Sequence, residues 1–195
     1  MAQHLEIEFK NMLTEQEFKA LQTYFSLNEN AFFSQKNYYF DTPAFMLRDL
    51  HSALRIREKN NRFELTLKEQ KIQGQLETTQ PLAKEEARQM IETGELPEGP
   101  VQNRLNELGV TDNIEYFGAL ETHRCEIEYR GGLLVLDRSY YLKKVDFEVE
   151  YEVDDINKGE KVFLELLNEL NIPRRKSQNK IARFYQEKKR SLDQT

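Results

Sequence analysis

The sequence predicts an α+β fold, an eight-stranded antiparallel β-barrel with helices packed outside. Two observations carry this. Apolar and charged residues alternate strictly in stretch after stretch, and alternation at period two marks strands with one apolar and one polar face. Helical stripes stand before, between and after these stretches and supply apolar faces to cover them. A third observation concerns charge. Acidic side chains crowd the first and last strands, while Arg and Lys crowd the middle ones. A single strand of this kind reads as one wet sheet face. The set reads differently, because about eight strands suffice to close a barrel, and closure turns the charged faces inward.

The elements follow in order. LEIEFK (5–10) sets Glu6, Glu8 and Lys10 against Leu5, Ile7 and Phe9, which are expected to face the helices. Thr14, followed by Glu15 and Glu17, caps a helix whose apolar side is Phe18, Leu21 and Phe25. AFFSQKNYYFDT is a β-prone aromatic run ending in an Asp41-Thr42-Pro43 turn. ALRIREK and RFELTLKEQ form a hairpin about Asn60-Asn61, and QLETTQ adds a short strand. KEEARQMIE and VQNRLNEL are helical, separated by GELPEGP. From Ile114 to Val153 the chain is β, with a Gly131-Gly132 turn, and Asp154-Asp155 ends the last strand. Helices are expected over 158–170 and over Gln178 to Lys189. The organisation is one domain over 1–195, with a helical insertion around 83–110 and C-terminal helices around 158–190.

Composition narrows the function. A net charge of −6 argues against a general nucleic-acid or membrane binder. The single cysteine, Cys125, forbids an intrachain disulfide and sits on an apolar phase, as a buried structural thiol. No apolar run approaches the ~20 residues of a spanning helix, and the first residues lack a signal-peptide core, so a cytoplasmic location is expected. His4, His51 and His123 lack ligand spacing and read as surface or structural residues. The Arg174-Arg175-Lys176 run reads as phosphate-facing or solvated, and Glu126 and Glu128 as partners of Arg on the barrel wall.

A charged interior must pair its charges or bind something. Glu6, Glu8, Glu148 and Glu150 offer hard oxygen ligands suited to Mg²⁺ or Mn²⁺. Arg55, Arg57, Lys68 and Arg124 suit phosphate oxygens. Together they match a metal-bound polyphosphate.

These motifs resemble the CYTH domain, the triphosphate tunnel metalloenzymes. Glu6-x-Glu8-x-Lys10 is similar to the family's ExExK signature. The likeness continues through Tyr39-Phe40-Asp41-Thr42, Leu54-Arg55-Ile56-Arg57, Leu65-Thr66-Leu67-Lys68, Arg124, Asp137 and Glu148-x-Glu150, to Lys176-Ser177 and Lys180. It spans nearly the whole chain and is nearest to bacterial members. The resemblance implies a triphosphate tunnel and a divalent-metal-dependent triphosphatase. Glu6, Glu8, Asp137, Glu148 and Glu150 would hold metal, and Lys10, Arg55, Arg57, Lys68, Arg124 and Lys180 would hold phosphates. Lys10, Glu148 and Glu150 would serve catalysis, the carboxylates by orienting water. Glu77 falls where the family often has R-x-E, with Gln75 in place of the Arg. The implied partner is a small triphosphate: tripolyphosphate, thiamine triphosphate or a nucleoside triphosphate. No membrane or nucleic-acid partner is expected, and the protein would be a monomer or homodimer. An adenylate cyclase and a non-catalytic polyphosphate sensor remain the alternatives.

Overall fold

The computed structural model describes residues 3–72, 74–175 and 177–192, without side-chain detail at positions 189, 191 and 192. Lys176 lies outside the described residues. In chain order the elements are β1 (Gln3–Leu13), α1 (Glu15–Tyr24), β2 (Phe33–Asp41), α2 (Met46–Asp49), β3 (Ser52–Lys59), β4 (Arg62–Lys71), β5 (Gly74–Leu82), α3 (Lys84–Thr93), α4 (Pro100–Glu107), β6 (Glu115–Tyr129), β7 (Gly132–Tyr141), β8 (Lys144–Val153), α5 (Ile156–Glu169) and α6 (Lys180–Leu192). The strands close a barrel in the hydrogen-bonded order β1-β5-β4-β3-β2-β6-β7-β8. Every pairing with a described register is antiparallel. The eight-stranded barrel expected from alternation is therefore present. No described helix is long and apolar enough to cross a membrane.

The chain packs as two compact units. The first joins the start of β1, up to Glu6, to residues 35–120. Its core sets Phe40, Leu54, Ile56, Leu65 and Leu67 of the strands against Ala87 and Met90 of α3 and Val101 and Leu105 of α4. These are the apolar phases of β2, β3 and β4, so the charged phases point the other way. Short α2 was not expected. It forms because Asp41, at the end of β2, accepts hydrogen bonds from the amides of Leu47 (2.9 Å) and Arg48 (3.2 Å). The Asn60-Asn61 turn is present, with φ of 52° and 58°, as the tight right-twisted hairpin requires.

The second unit joins Ile7–Ser34 to residues 121–195. Its core combines Phe18 and Leu21 of α1, Leu134 and Leu136 of β7, Val149 and Tyr151 of β8, and Phe163, Leu166 and Leu167 of α5. Phe9 packs against it and stacks on Phe163 at 6.0 Å. Leu5 departs from expectation. It lies before this core begins and is 47% exposed. Thr14 caps α1 as expected and forms a capping box with Glu17, and Asp155 caps α5. The β6–β7 turn falls one residue earlier than expected, at Arg130 and Gly131 (φ 46° and 86°). Gly132 is needed inside β7 instead, because a Cβ there would approach the Glu152 carbonyl oxygen and the Tyr151 ring.

Gly94 and Gly109 share a φ of +75°, yet their surroundings differ. A Cβ on Gly94 would collide with the Ile114 carbonyl, whereas one on Gly109 would meet nothing within 4 Å. Gly109→Ala should therefore cost about 1 kcal/mol, the left-handed backbone penalty alone. Gly94→Ala should cost clearly more, measured as midpoint shifts in urea unfolding. Equal losses would contradict the packing described here.

Candidate active site

Strand register builds the site in the second unit. Arg124 of β6 lies opposite Asp137 of β7, and Asp137 lies opposite Glu148 of β8. Glu150, two residues on and on the same face, lies opposite Lys10 of β1. One row thus reads Arg124, Asp137, Glu148, and the next brings Lys10 beside Glu150. Asp137, Glu148 and Glu150 are all buried.

Buried carboxylates need cations, and each has them. The Arg124 guanidinium grips Asp137 at both oxygens (2.8 and 2.7 Å) and reaches Glu150 at 2.9 Å. Lys10 lies 2.8 Å from Glu8 and 3.4 Å from Glu150. From α6, the Lys180 ammonium meets Asp137 at 2.7 Å, Glu148 at 2.8 Å and Glu150 at 2.5 Å. One helical turn on, Arg183 binds Glu148 (3.1 Å) and Asp146 (2.9 Å). The Tyr141 hydroxyl donates to the same Asp146, and Ser177 Oγ donates to Glu148 at 2.6 Å.

The charges hold one another in place. Burial pushes the Glu148 carboxyl up, but Lys180, with Arg183 and Lys10 behind it, holds it down at about 2. Glu150 is likewise held well below the usual range, against burial, by Lys10, Lys180 and Arg124. Burial alone would lower Lys10 and Lys180, yet carboxylate neighbours raise both.

The first unit carries a second charged group. Lys68 of β4 lies opposite Glu77 of β5 and contacts it, and its ammonium is 2.9 Å from Glu6. Burial pushes Glu77 up, while Lys68 and Arg55 bring it down to about 2. Arg55 and Arg57 share this polar phase of β3, and the Arg55 Nε is buried with no hydrogen-bond partner among the described residues. Such an orphaned donor suits an oxygen-rich ligand.

Of the five carboxylates expected to hold metal, three offer oxygens within 4.8 Å of one another: Asp137, Glu148 and Glu150. An all-oxygen, anionic donor set fits Mg²⁺ or Mn²⁺. Glu8 joins this unit through Lys10, and Glu6 belongs to the first unit with Lys68. Several other expectations change. Glu126 and Glu128 are exposed rather than wall partners. Arg130 pairs with Glu165 of α5 at 2.7 Å, because the turn swings it outward. Arg174 lies over the Phe163 ring and donates to the Lys10 carbonyl, while Arg175 grips Glu17 at 2.7 and 2.8 Å. That pair anchors the segment before α6, with Arg174 exposed to solvent and Arg175 partly buried. Cys125 is buried, as expected. Arg183, Asp146, Tyr141 and Ser177 were not anticipated as site residues. The signal for Arg183 was its place three residues after Lys180, one turn along a helix whose apolar side is Ile181 and Phe184.

This arrangement of paired acidic and basic strands has known relatives. The CYTH domain profile matches residues 4–185. The chain belongs to the CYTH domain family. A Bacillus subtilis (strain 168) protein named "Putative triphosphatase YjbK" is 49% identical over 193 residues, covering 98% of this chain and 100% of that protein. A crystal structure from Bacillus halodurans, described as a "putative adenylate cyclase", superposes with a TM-score of 0.92 at 38% identity, covering 95% of this chain and 100% of that one. A Hippeastrum protein, HpAC1, described as a "putative adenylyl cyclase" with a dominant triphosphatase activity, shares the fold with a TM-score of 0.78 at 23% identity. Coverage is 94% of this chain and 96% of that one.

The depressed carboxyls give a pH prediction. Glu77 and Glu148 ordinarily titrate at 4.5 and here do so at about 2. Their stabilisation is present in full above the unfolded value and is lost as pH falls through the folded one. Urea midpoints should therefore drop between pH 4.5 and pH 2. Glu148→Gln should flatten that drop, because it has no proton to take up there. An unchanged slope in the variant would contradict the pairing.

Proposed function

We propose that this protein is a divalent-metal-dependent triphosphatase whose substrate is tripolyphosphate, thiamine triphosphate or a nucleoside triphosphate. The buried Asp137–Glu148–Glu150 cluster, ringed by Lys10, Arg124 and Lys180, is the observation that carries this reading. A pure anion binder gains nothing from three buried carboxylates. Membership of the CYTH family and 49% identity to a protein named as a triphosphatase point the same way.

In this reading Asp137, Glu148 and Glu150, with Glu8 contributing, would hold Mg²⁺ or Mn²⁺. A bound divalent ion would neutralise phosphate oxygens and polarise the phosphorus under attack. The chain's own groups do the rest. Lys10 and Arg124 beside the carboxylates bind phosphate oxygens and spread their charge over several donors, and Arg55, Arg57 and Lys68 offer the first unit's own phosphate-binding donors. Lys180 joins them, and Glu77 holds Lys68 in place. Glu148 and Glu150 accept hydrogen bonds from the attacking water and fix its approach. Phosphoryl transfer asks for positioning and charge stabilisation, so no covalent nucleophile is assigned.

Cyclisation of ATP is a second reading, favoured by the description of the 38%-identical Bacillus halodurans protein. The same cradle would hold the triphosphate while the carboxylates drew a proton from the ribose hydroxyl. Product analysis separates the two. With Mg²⁺ or Mn²⁺, phosphate should be released from at least one of tripolyphosphate, thiamine triphosphate and ATP, and ATP should yield ADP or AMP. Glu148→Gln and Glu150→Gln should each lower kcat by roughly 10²-fold or more, an effect comparable to loss of a charge-stabilising group. Cyclic AMP with pyrophosphate would establish the cyclase instead, and full activity under chelator would remove the metal from the account.

A further inference from the structure

Lys180 does something in this structure that a phosphate ligand would not. Its ammonium carries three N–H donors and faces three carboxylate oxygens, on Asp137, Glu148 and Glu150, at 2.7, 2.8 and 2.5 Å. With its charge seated among three carboxylates, this ammonium is committed to anions of the protein rather than to a phosphate. Those three residues are also the ones whose oxygens converge closely enough to hold a metal ion. An ammonium and a divalent ion cannot share that space, since both require the same oxygens and they repel each other.

The neighbours of Lys180 fit this role. Ser177, Lys180 and Arg183, spaced by three, all contact Glu148, so the first turn of α6 and the residues before it are seated on the cluster. Just upstream the chain is fastened independently, by Arg175 to Glu17 and to Asn11 Oδ1 (2.6 Å). Further along α6, Glu187 pairs with Lys144 at 2.6 Å, and Phe184 packs on Tyr141. The Lys180 side chain, with its flexible four-carbon stem, can leave the carboxylates while these contacts keep α6 in place.

We infer that Lys180 is a built-in occupant of the cation site, holding Asp137, Glu148 and Glu150 in register until a divalent ion displaces it. The inference rests on the metal reading above. The exchange has two consequences. Metal binding must compete with a tethered ammonium, so its apparent affinity is lowered by the fraction of molecules in which Lys180 is seated. Once displaced, Lys180 regains three donors, so the residue that guards the metal site becomes a phosphate ligand only after metal has bound. Ordered binding, metal before triphosphate, follows.

Calorimetric titration of Mn²⁺ into the full chain without substrate tests this, comparing wild type with Lys180→Met and Lys180→Arg. Lys180→Met should bind Mn²⁺ roughly tenfold more tightly or better, the fold-change set by how fully Lys180 occupies the site. Lys180→Arg, which keeps the charge, should gain nothing. Lys180→Met binding Mn²⁺ with wild-type or weaker affinity would overturn the inference, yet would leave the triphosphatase reading standing, since that reading falls to activity under chelator or to cyclic AMP as the product of ATP. If circular dichroism shows that Lys180→Met is unfolded, acylation of lysines in the wild type, mapped by mass spectrometry, decides. Mn²⁺ should raise the reactivity of Lys180, and unchanged reactivity would overturn the inference.

Discussion

Burial of ionised carboxylates is the constraint on which this structure depends. Asp137, Glu148 and Glu150 lie on two neighbouring strands with almost no access to water. Uncompensated, each would cost several kcal/mol to bury. They remain charged because Lys10, Arg124, Lys180 and Arg183 arrive from four other places in the chain: β1, β6 and two turns of α6. The barrel order supplies β1 beside β8, and the register puts Arg124 opposite Asp137. Fold and site are thus one electrostatic problem, solved by pairing.

The apolar side of the same strands explains why the arrangement holds. Leu134 and Leu136 alternate with Val135 and Asp137, and Val149 and Tyr151 alternate with Glu148 and Glu150. Packing Leu136, Val149 and Tyr151 against Phe163 and Leu166 of α5 fixes which way the strands face. A slip of one residue would exchange the two faces and bury the carboxylates in the core. The hydrophobic core therefore aims the charges, and the cations make that aim tolerable.

Much of this was readable in the sequence. Alternation in DFEVEYE assigns Glu148 and Glu150 to one face without knowledge of their partners, and the Thr14–Glu17 capping box is a local signal that the structure repeats. Pairing across long separations was not readable. Lys10 and Glu150 are 140 residues apart, and alternation gives the face of each without naming the other. The contacts of Arg174 and Arg175 were not readable either, because composition gives a basic run without showing that one side chain lies on a ring and the other on a helix carboxylate. Arg183 carries no motif of its own, and its partners Asp146 and Glu148 lie 37 and 35 residues away on β8. Leu5 shows the converse error: its phase is apolar, but the core it should face does not extend that far along β1.

The central claim is that the paired carboxylates are a cation site for triphosphate chemistry. Anomalous diffraction from crystals grown with Mn²⁺ and a non-hydrolysable tripolyphosphate analogue tests it most directly. The account predicts a manganese peak bonded to oxygens of Asp137, Glu148 and Glu150, with analogue oxygens on the metal and on Arg124. Manganese bound elsewhere, with Lys180 still seated on all three carboxylates beside a bound analogue, would contradict it.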